Sequence, residues 1–221
     1  MIQFLTKGLL RDRSRSLFPV IIITITVTIV IFAIGFMKGG MNNVFLDTAV
    51  IISGHEKVVT RAYKEESQML PNDLALLDVD QIIVNLNKEY PDHFWSPRIT
   101  FGGLLDMPDS NGETKDQGPV IAMGIDLLNK NSRMKELWEL ENNLVNGRIP
   151  KTSEEVLISE KLANKLNITI GDIATYIGTT MHNAFTTYNF LVVGTFDLRK
   201  GQADKQMMLV DISGARKALD M

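Results

Sequence analysis

No charged residue occurs between Ser16 and Met37, and this apolar stretch constrains the fold more than any other feature of the sequence. A helix rises about 1.5 Å per residue, so about 20 residues cross a hydrocarbon core ~30 Å thick. Every residue from Val20 to Ile31 is β-branched, which by propensity favours a strand. A lone strand in lipid would leave its backbone groups without partners, whereas a helix satisfies them internally. The stretch therefore predicts a transmembrane helix over residues 17–37.

Basic residues are concentrated on one side of this predicted helix. Only Lys38 follows it closely, whereas four basic residues precede it: Lys7, Arg11, Arg13 and Arg15. Because loops rich in lysine and arginine stay in the cytoplasm, we expect a cytoplasmic N-terminus and a periplasmic or other extracytoplasmic main domain. The expected location is the inner, cytoplasmic membrane.

Residues 1–16 carry an amphipathic and basic pattern. Ile2, Leu5 and Leu9 recur at helical spacing, which suits a short helix at the cytoplasmic membrane surface. Each of the four basic residues would contribute about 1 kcal/mol near anionic lipid. The alternative is a frayed tail with flanking positive charge. A cleaved signal peptide, ending near the small residues Ala33 and Gly35, is a further alternative, but the apolar region is longer than such peptides use.

Small and polar residues fall on one stripe of the predicted helix. Thr24, Thr28 and Gly35 lie four and seven residues apart, which places them on one face. Such stripes let transmembrane helices approach each other closely, so the three residues are predicted to pack against partner helices. The alternative is that the threonine hydroxyls bond back to carbonyls of their own helix.

Composition excludes several classes of function. A net charge of -3 over 221 residues, with mixed signs, gives no basic surface for nucleic acid. The chain contains no cysteine, which rules out disulfides, thiolate metal sites and a cysteine nucleophile.

The chain after Gly40 shows mixed helix and strand signals, which predict an α+β domain. A capping box of Asp78 and Gln81 predicts a helix that ends before Pro91, and Ser159 is a predicted N-cap. Two more helices are expected at 132–144 and from about 213, and a loop at 108–118. The predicted strands are 49–53, 56–60, 99–105, 119–125, 173–178, 188–196 and 206–210.

The residues that usually carry chemistry do not form a catalytic pattern. A phosphate-binding GxxxxGK[ST] loop is absent, and Gly102-Gly103 lacks the third glycine of a dinucleotide fingerprint. His55, His93 and His182 occur singly, without metal-ligand spacing, and are interpreted as surface residues.

Three further candidates are also interpreted as structural. Ser53-Gly54-His55 lacks a nucleophile elbow. The acidic residues Asp73, Asp78 and Asp80 do not follow EF-hand spacing and are interpreted as solvated caps. Trp95 and Trp138 are expected as core or rim anchors. We therefore assign no catalytic, cofactor-binding or metal-binding residue and expect a non-enzymatic chain with no cofactor.

Short segments follow one another along almost the whole chain in an order that is more specific than any one of them. They are Arg11 to Arg15, Ile52-Ser53-Gly54-His55 with Tyr63, Ser96-Pro97-Arg98-Ile99, Met123-Gly124-Ile125-Asp126, Asn146-Gly147-Arg148, Val156-Leu157-Ile158-Ser159, Leu162-Ala163-Asn164-Lys165-Leu166, Ile170-Gly171-Asp172, Val192-Val193-Gly194-Thr195-Phe196 and Asp204. This ordered set resembles the first half of an ABC-transporter permease of the MacB and FtsX-type superfamily, most closely the lipoprotein-releasing LolC/LolE group.

The resemblance implies a MacB-like periplasmic domain over residues 41–221. A porter-like lobe would comprise about 41–105 and 188–221, with an inserted second lobe at about 106–187. The implied partners are a cytoplasmic ABC ATPase subunit, which would hydrolyse the ATP, a second permease subunit in a homo- or heterodimer, membrane lipid, and a lipoprotein or periplasmic carrier. Such permeases have three more transmembrane helices after this domain. We therefore expect either a fragment of a longer permease or a single-pass derivative that cannot translocate alone.

The expected function is that of a permease subunit, or its N-terminal half, which couples cytoplasmic ATP hydrolysis to extraction or export of an amphiphile such as a lipoprotein. A single-pass extracytoplasmic binding or sensory module is the alternative, as is a mechanotransmission permease that regulates a cell-wall hydrolase. A membrane-anchored enzyme would need a pocket with convergent titratable groups, which the sequence does not indicate.

Overall fold

A computed structural model describes residues 13–47, 51, 54–108, 112–198 and 205–221. The chain divides into two compact units, Met1–His55 and Glu56–Met221. Several predicted features lie outside the described residues: Lys7, Arg11, Asp204, the Ile52-Ser53 pair and, apart from residue 51, the strand expected at 49–53. The side chains of Arg13 and Arg15 also fall outside the description.

The first unit is built on one long helix, α1 (Arg13–Asp47), which extends beyond the predicted span at both ends. Its segment Leu17–Met41 has a mean hydropathy of 2.9, and by length and composition it could cross a membrane. The side chains along this segment are exposed. The helix prediction is therefore confirmed against the strand propensity of Val20 to Ile31, while its orientation stays a prediction.

The second unit is built around a seven-stranded mixed sheet. The strands are β1 (Arg98–Pro108), β2 (Thr114–Ile125), β3 (Leu144–Gly147), β4 (Glu155–Ser159), β5 (Ile173–Thr179), β6 (Phe185–Phe196) and β7 (Met207–Asp211). Their order in the sheet is β3-β6-β4-β7-β2-β1-β5. β5 also pairs with β6, so six of the strands close into a ring and β3 is added at the edge of β6. Most neighbours are antiparallel, but β2–β7 and β4–β6 are parallel.

Alternation along the strands separates two buried layers. Even-numbered residues of the central strands, such as Ile158, Met208 and Val210, belong to the main core. This core also includes residues of α6 (Glu160–Lys165) and α7 (Ile212–Leu219). Odd-numbered neighbours such as Leu157 and Leu209 are buried too but lie outside that cluster. A strand that is buried on both faces reads as a continuous apolar run, which is why β4 shows no alternating pattern in the sequence.

The segment between β2 and β3 supplies the second set of buried side chains, with Trp138 the largest. It forms two short helices, α4 (Met134–Leu137) and α5 (Leu140–Asn143), where one helix over 132–144 was predicted. The prediction is wrong because Glu139 adopts a positive φ of 48° between them, which ends the helical run.

The start of the second unit differs from its prediction as well. Residues 56–60 form no strand. Thr60 instead caps α2 (Arg61–Glu65), accepting a hydrogen bond from the Tyr63 amide at 3.0 Å and donating to the Leu74 carbonyl at 2.6 Å. Two short 3₁₀ turns follow, Ser67–Met69 and Asn72–Leu74.

The helix predicted after Asp78 is present as α3 (Val79–Glu89) and ends before Pro91, but its capping box is wrong. Asp78 has a φ of 51° and its side chain makes no capping hydrogen bond. A left-handed residue turns its side chain away from the first helical amides, so the backbone carbonyl of Asp78 accepts from Gln81 instead.

The strands predicted at 99–105, 119–125, 173–178, 188–196 and 206–210 are all present, most of them longer than expected. β2 already begins at Thr114, which shortens the loop predicted at 108–118. The division into a porter-like and an inserted lobe is not confirmed. Strands from both parts join one sheet, in which β7 lies between β2 and β4.

Candidate functional site

A bidentate ion pair closes the turn between β3 and β4. Arg148 donates to both carboxylate oxygens of Glu155, at 2.6 and 2.7 Å, and the Lys151 amide also donates to Glu155 at 2.6 Å. The hydrogen bonds from Arg148 are the largest cause that lowers the pKa of Glu155, to about 2. The Asn146-Gly147-Arg148 segment of the resemblance thus ends β3 and begins the connection to β4, and Gly147 takes a φ of 82° there.

A second carboxylate ties three elements together. Asp211, at the end of β7, is 2% exposed. One of its oxygens accepts from the Leu127 and Leu128 amides, each at 2.9 Å, and the other accepts from the amide and hydroxyl of Ser213 at the start of α7. Asp211 therefore joins β7, the segment after β2 and the N-terminus of α7.

Glycine in the Met123-Gly124-Ile125-Asp126 segment allows a close helix–sheet contact. A Cβ at Gly124 would lie 2.5 Å from the Cβ of Ala215 in α7. Two Cβ atoms cannot approach that closely, so glycine is needed at position 124 and this segment also has a packing role. Asp126 faces solvent in part and accepts from the Asn129 side chain at 3.1 Å.

Aromatic and arginine side chains cluster around the start of β1. The guanidinium carbon of Arg98 lies 5.4 Å from the ring centroid of Trp138, and burial lowers the pKa of Arg98. Trp138 is 1% exposed, which confirms it as a core anchor, and Trp95 is half-buried and stacks on His93 at 5.8 Å. Within the described residues, the indole nitrogens of both tryptophans have no hydrogen-bond partner.

Titratable residues do not converge on one point of the described chain. His55, His93 and His182 are exposed, as predicted. No group of three histidine or carboxylate side chains that could hold a metal occurs among the residues that the structure describes. The charged side chains described above hold turns and helix ends in place.

The predicted packing residues of α1 lie as expected along one helix. Thr24 and Thr28 each donate a 2.8 Å hydrogen bond to the carbonyl four residues earlier, and Thr26 does the same. Gly35 has no heavy atom within 4 Å of the position of a Cβ. The hydroxyls are thus already paired within their helix, and the stripe as a packing surface stays a prediction.

Three residues with structural roles were missed at the level of sequence: Asp211, Glu155 and Tyr176. Asp211 carries a usable signal, because aspartate is a common N-cap residue and Asp211 directly precedes the first residue of α7. Glu155 and Tyr176 have no such signal, since the pairing of Glu155 with Arg148 and of Tyr176 with the Gly102 carbonyl depends on how the strands come together.

No protein-family model matches the chain, and no curated protein matches its sequence. One solved structure that matches in part is the extracellular domain of the noncanonic ABC-type transporter YknZ from Gram-positive bacteria, with 15% sequence identity and a TM-score of 0.41. The match covers 57% of this chain and 58% of that chain. A TM-score of 0.41 is too low to define a shared fold.

Proposed function

We propose that this chain is a permease subunit, or the N-terminal half of one, in an ABC transporter of the MacB and FtsX-type superfamily. The ordered set of resembling segments supports this role, and the observation that carries it is where those segments lie. Gly124, Gly147 with Arg148, and Ser159 occupy a helix–sheet contact, a turn and a helix cap of one folded unit. Residues that a family retains for a mechanical domain are expected at such positions rather than around a reaction centre.

In this proposal, α1 crosses the inner membrane with its N-terminus in the cytoplasm, and the unit from Glu56 onward is extracytoplasmic. A separate ATPase subunit hydrolyses ATP in the cytoplasm, and a second permease subunit completes the transmembrane part. The substrate is an amphiphile such as a lipoprotein; this finer assignment rests on the LolC/LolE resemblance alone. The porter-like and inserted lobes remain part of the proposal.

The contact with partner helices is assigned to the stripe of Thr24, Thr28 and Gly35. Both threonine hydroxyls bond to their own backbone, so each presents a methyl group and little unpaired polarity to a neighbour. Glycine at position 35 lets a partner backbone approach closely. Bulky side chains on this stripe would therefore separate the helices without making the segment less apolar.

The test is to co-purify the full chain with its partner ABC ATPase, in wild-type form and as a Thr28→Leu, Gly35→Leu double variant. Ile22→Leu is the control, since Ile22 is exposed on another face of the same helix. We expect membrane content to hold in both variants, while recovery of the complex and its ATP hydrolysis fall only in the double variant.

Two outcomes would contradict the proposal at different levels. ATP hydrolysis by the purified chain without any partner would rule out the non-catalytic role. Equal recovery of the complex from the double variant and the Ile22→Leu control would show that the stripe is not an interface, while leaving the permease assignment in place.

A further inference from the structure

The closed sheet has one arm that is attached differently from the rest. β6 pairs with β5 from Phe185 to Leu191, and its pairing with β4 begins only at Leu191. β5 together with residues 185–190 of β6 therefore forms a hairpin whose β6 edge is not paired with β4. We call residues 173–190 the β5–β6 arm.

The arm meets the rest of the sheet along a short ladder with β1. Only Leu104, Leu105 and Asp106 pair with β5, opposite Ile177, Tyr176 and Thr175. β1 pairs with β2, by contrast, along its whole length from Arg98 to Pro108. Local opening follows the number of backbone hydrogen bonds that must break together and the burial of the strands that carry them. The β4–β7 ladder also has three pairs, but both of its strands are buried along their whole length. In the β1–β5 ladder Leu104 is exposed and Ile177 is half-buried, so this ladder is the easier of the two to open.

Beyond the last pair of the β1–β5 ladder, the two strands are joined by a hydrogen bond from a side chain. The Tyr176 hydroxyl donates to the Gly102 carbonyl at 3.0 Å, just beyond the Leu104–Ile177 pair. A Cβ at Gly103 would lie 2.5 Å from the Tyr176 ring, so glycine there makes room for it. The ring itself is fully buried and packs edge-on against Phe101 at 5.1 Å.

Two hydrogen bonds hold the tip of the arm on α7. The Met181 amide donates to the Leu219 carbonyl at 2.8 Å, and the Thr186 hydroxyl donates to the Ala218 carbonyl at 3.2 Å. Both acceptors lie in the last turn of α7, where carbonyls have no partner within the helix. The tip is thus held by two single bonds rather than by a ladder.

We infer that the β5–β6 arm is a hinged element that opens at the β1–β5 ladder while the rest of the sheet stays folded. The strand changes partner at Leu191, which places the hinge there. The Tyr176–Gly102 hydrogen bond, the β1–β5 ladder and the two hydrogen bonds to α7 together keep the arm closed. This opening is a property of the folded unit, so it does not depend on the proposed transport role.

Hydrogen exchange of the full chain in lipid nanodiscs tests the opening directly. In the wild type, those amides of residues 104–106 and 175–177 that donate across the β1–β5 ladder are expected to exchange faster than the β1 amides that donate to β2. Tyr176→Phe removes the hydroxyl and keeps the ring, so exchange of the amides that donate across the β1–β5 ladder should rise about five- to tenfold. Tyr188→Phe is the matched control, because Tyr188 packs on Phe190 in the same arm and its hydroxyl has no hydrogen bond among the described residues.

An engineered disulfide gives the opposite test. Leu104 and Ile177 lie directly opposite each other, and the chain has no cysteine of its own. Oxidised Leu104→Cys, Ile177→Cys should slow exchange in the ladder by about tenfold or more, because opening then requires unfolding of the unit. The control disulfide, Thr179→Cys with Phe185→Cys, lies within the arm and outside the β1–β5 ladder, and it should leave the ladder rates unchanged.

Two results would overturn the inference. One is wild-type exchange in the β1–β5 ladder that is no faster than in the β1–β2 ladder. The other is an equal rise in both ladders in Tyr176→Phe, which would mean that the arm opens only when the whole unit unfolds.

Discussion

Helix α1 and the central strands of the sheet are made from the same kinds of side chain but use them in opposite ways. Ile29 in α1 is 60% exposed, whereas Ile158 in β4 is fully buried. Both stretches are rich in β-branched residues, which by propensity favour strands. Only the stretch whose apolar side chains find protein neighbours becomes a strand. The comparison shows that the surroundings, rather than propensity, decide the secondary structure of such runs.

Hydroxyl groups show the same contrast. In α1, Thr28 bonds back to the carbonyl of Thr24, so its hydroxyl serves only its own helix. In the folded unit, Ser159 accepts from the Leu162 amide at 3.3 Å and thereby ends β4 and starts α6. The Ser159 hydroxyl thus joins two elements, so removing it should lower the free energy of unfolding more than removing the Thr28 hydroxyl does.

The largest effect is expected from matched truncations of isoleucine. Ile158→Ala should lower the free energy of unfolding of the second unit by about 2–5 kcal/mol, because it removes buried methyl groups and leaves a cavity. Ile29→Ala, which truncates an exposed side chain, should leave that free energy unchanged. Urea unfolding of the full chain in nanodiscs, followed by the fluorescence of buried Trp138, measures both. Equal losses in the two variants would remove the contrast between the units.

Glu155→Gln should lower the free energy of unfolding of the second unit by a smaller amount, about 1–2 kcal/mol. The loss is smaller because Arg148 is partly exposed and solvent screens its charge. The pKa of Glu155 in the folded unit, about 2, lies below its usual 4.5. Its stabilisation is therefore complete above about pH 4.5 and is lost as the pH falls through about 2. As the pH is lowered from 6 to 2, the free energy of unfolding should fall less in Glu155→Gln than in the wild type.

The control for this charge effect is Glu141→Gln, which changes an exposed glutamate. It should keep the pH dependence of the wild type. A Glu155→Gln variant with the same pH dependence as the wild type would mean that the ion pair does not hold the turn in solution.

The smallest effect separates the two kinds of hydroxyl. Ser159→Ala should destabilise the second unit by about 1 kcal/mol, the usual cost of a lost N-cap. Thr28→Val keeps the shape of the side chain, loses a hydrogen bond within its own helix, and should change neither unfolding nor membrane content. Thermal unfolding and membrane fractionation of both variants check this, and a destabilised Thr28→Val would show that its hydroxyl has a second partner.

Much of the fold follows from patterns within short segments. The uncharged apolar stretch located α1, and periodicity located α3 and five of the strands. Ser159 was identified as a cap from its type and position, as the structure confirms. These features depend on residues close together in sequence. β4 has no alternation to detect, because its neighbours bury it on both faces.

The misses have two physical causes: some features depend on contacts between residues far apart in sequence, and others depend on an unusual backbone angle. Aspartate is common at helix caps and glutamate is common inside helices, yet Asp78 and Glu139 both adopt a positive φ. The role of Asp211 depends on amides more than eighty residues away. For the candidate site, the sequence pointed to several of the segments involved. It did not indicate that charged side chains would connect these segments through hydrogen bonds and ion pairs.

β7 has a consequence for how the second unit is made. It is the last strand in the sequence, yet it lies between β2 and β4. At about 5–20 residues per second, β4 leaves the ribosome several seconds before β7. During that interval β2 and β4 have unpaired, apolar edges, which readily join to other unpaired strands. β7 covers both edges only after residue 211 has been synthesised, so this strand order exposes them for longer than an order in which neighbouring strands are also consecutive in sequence.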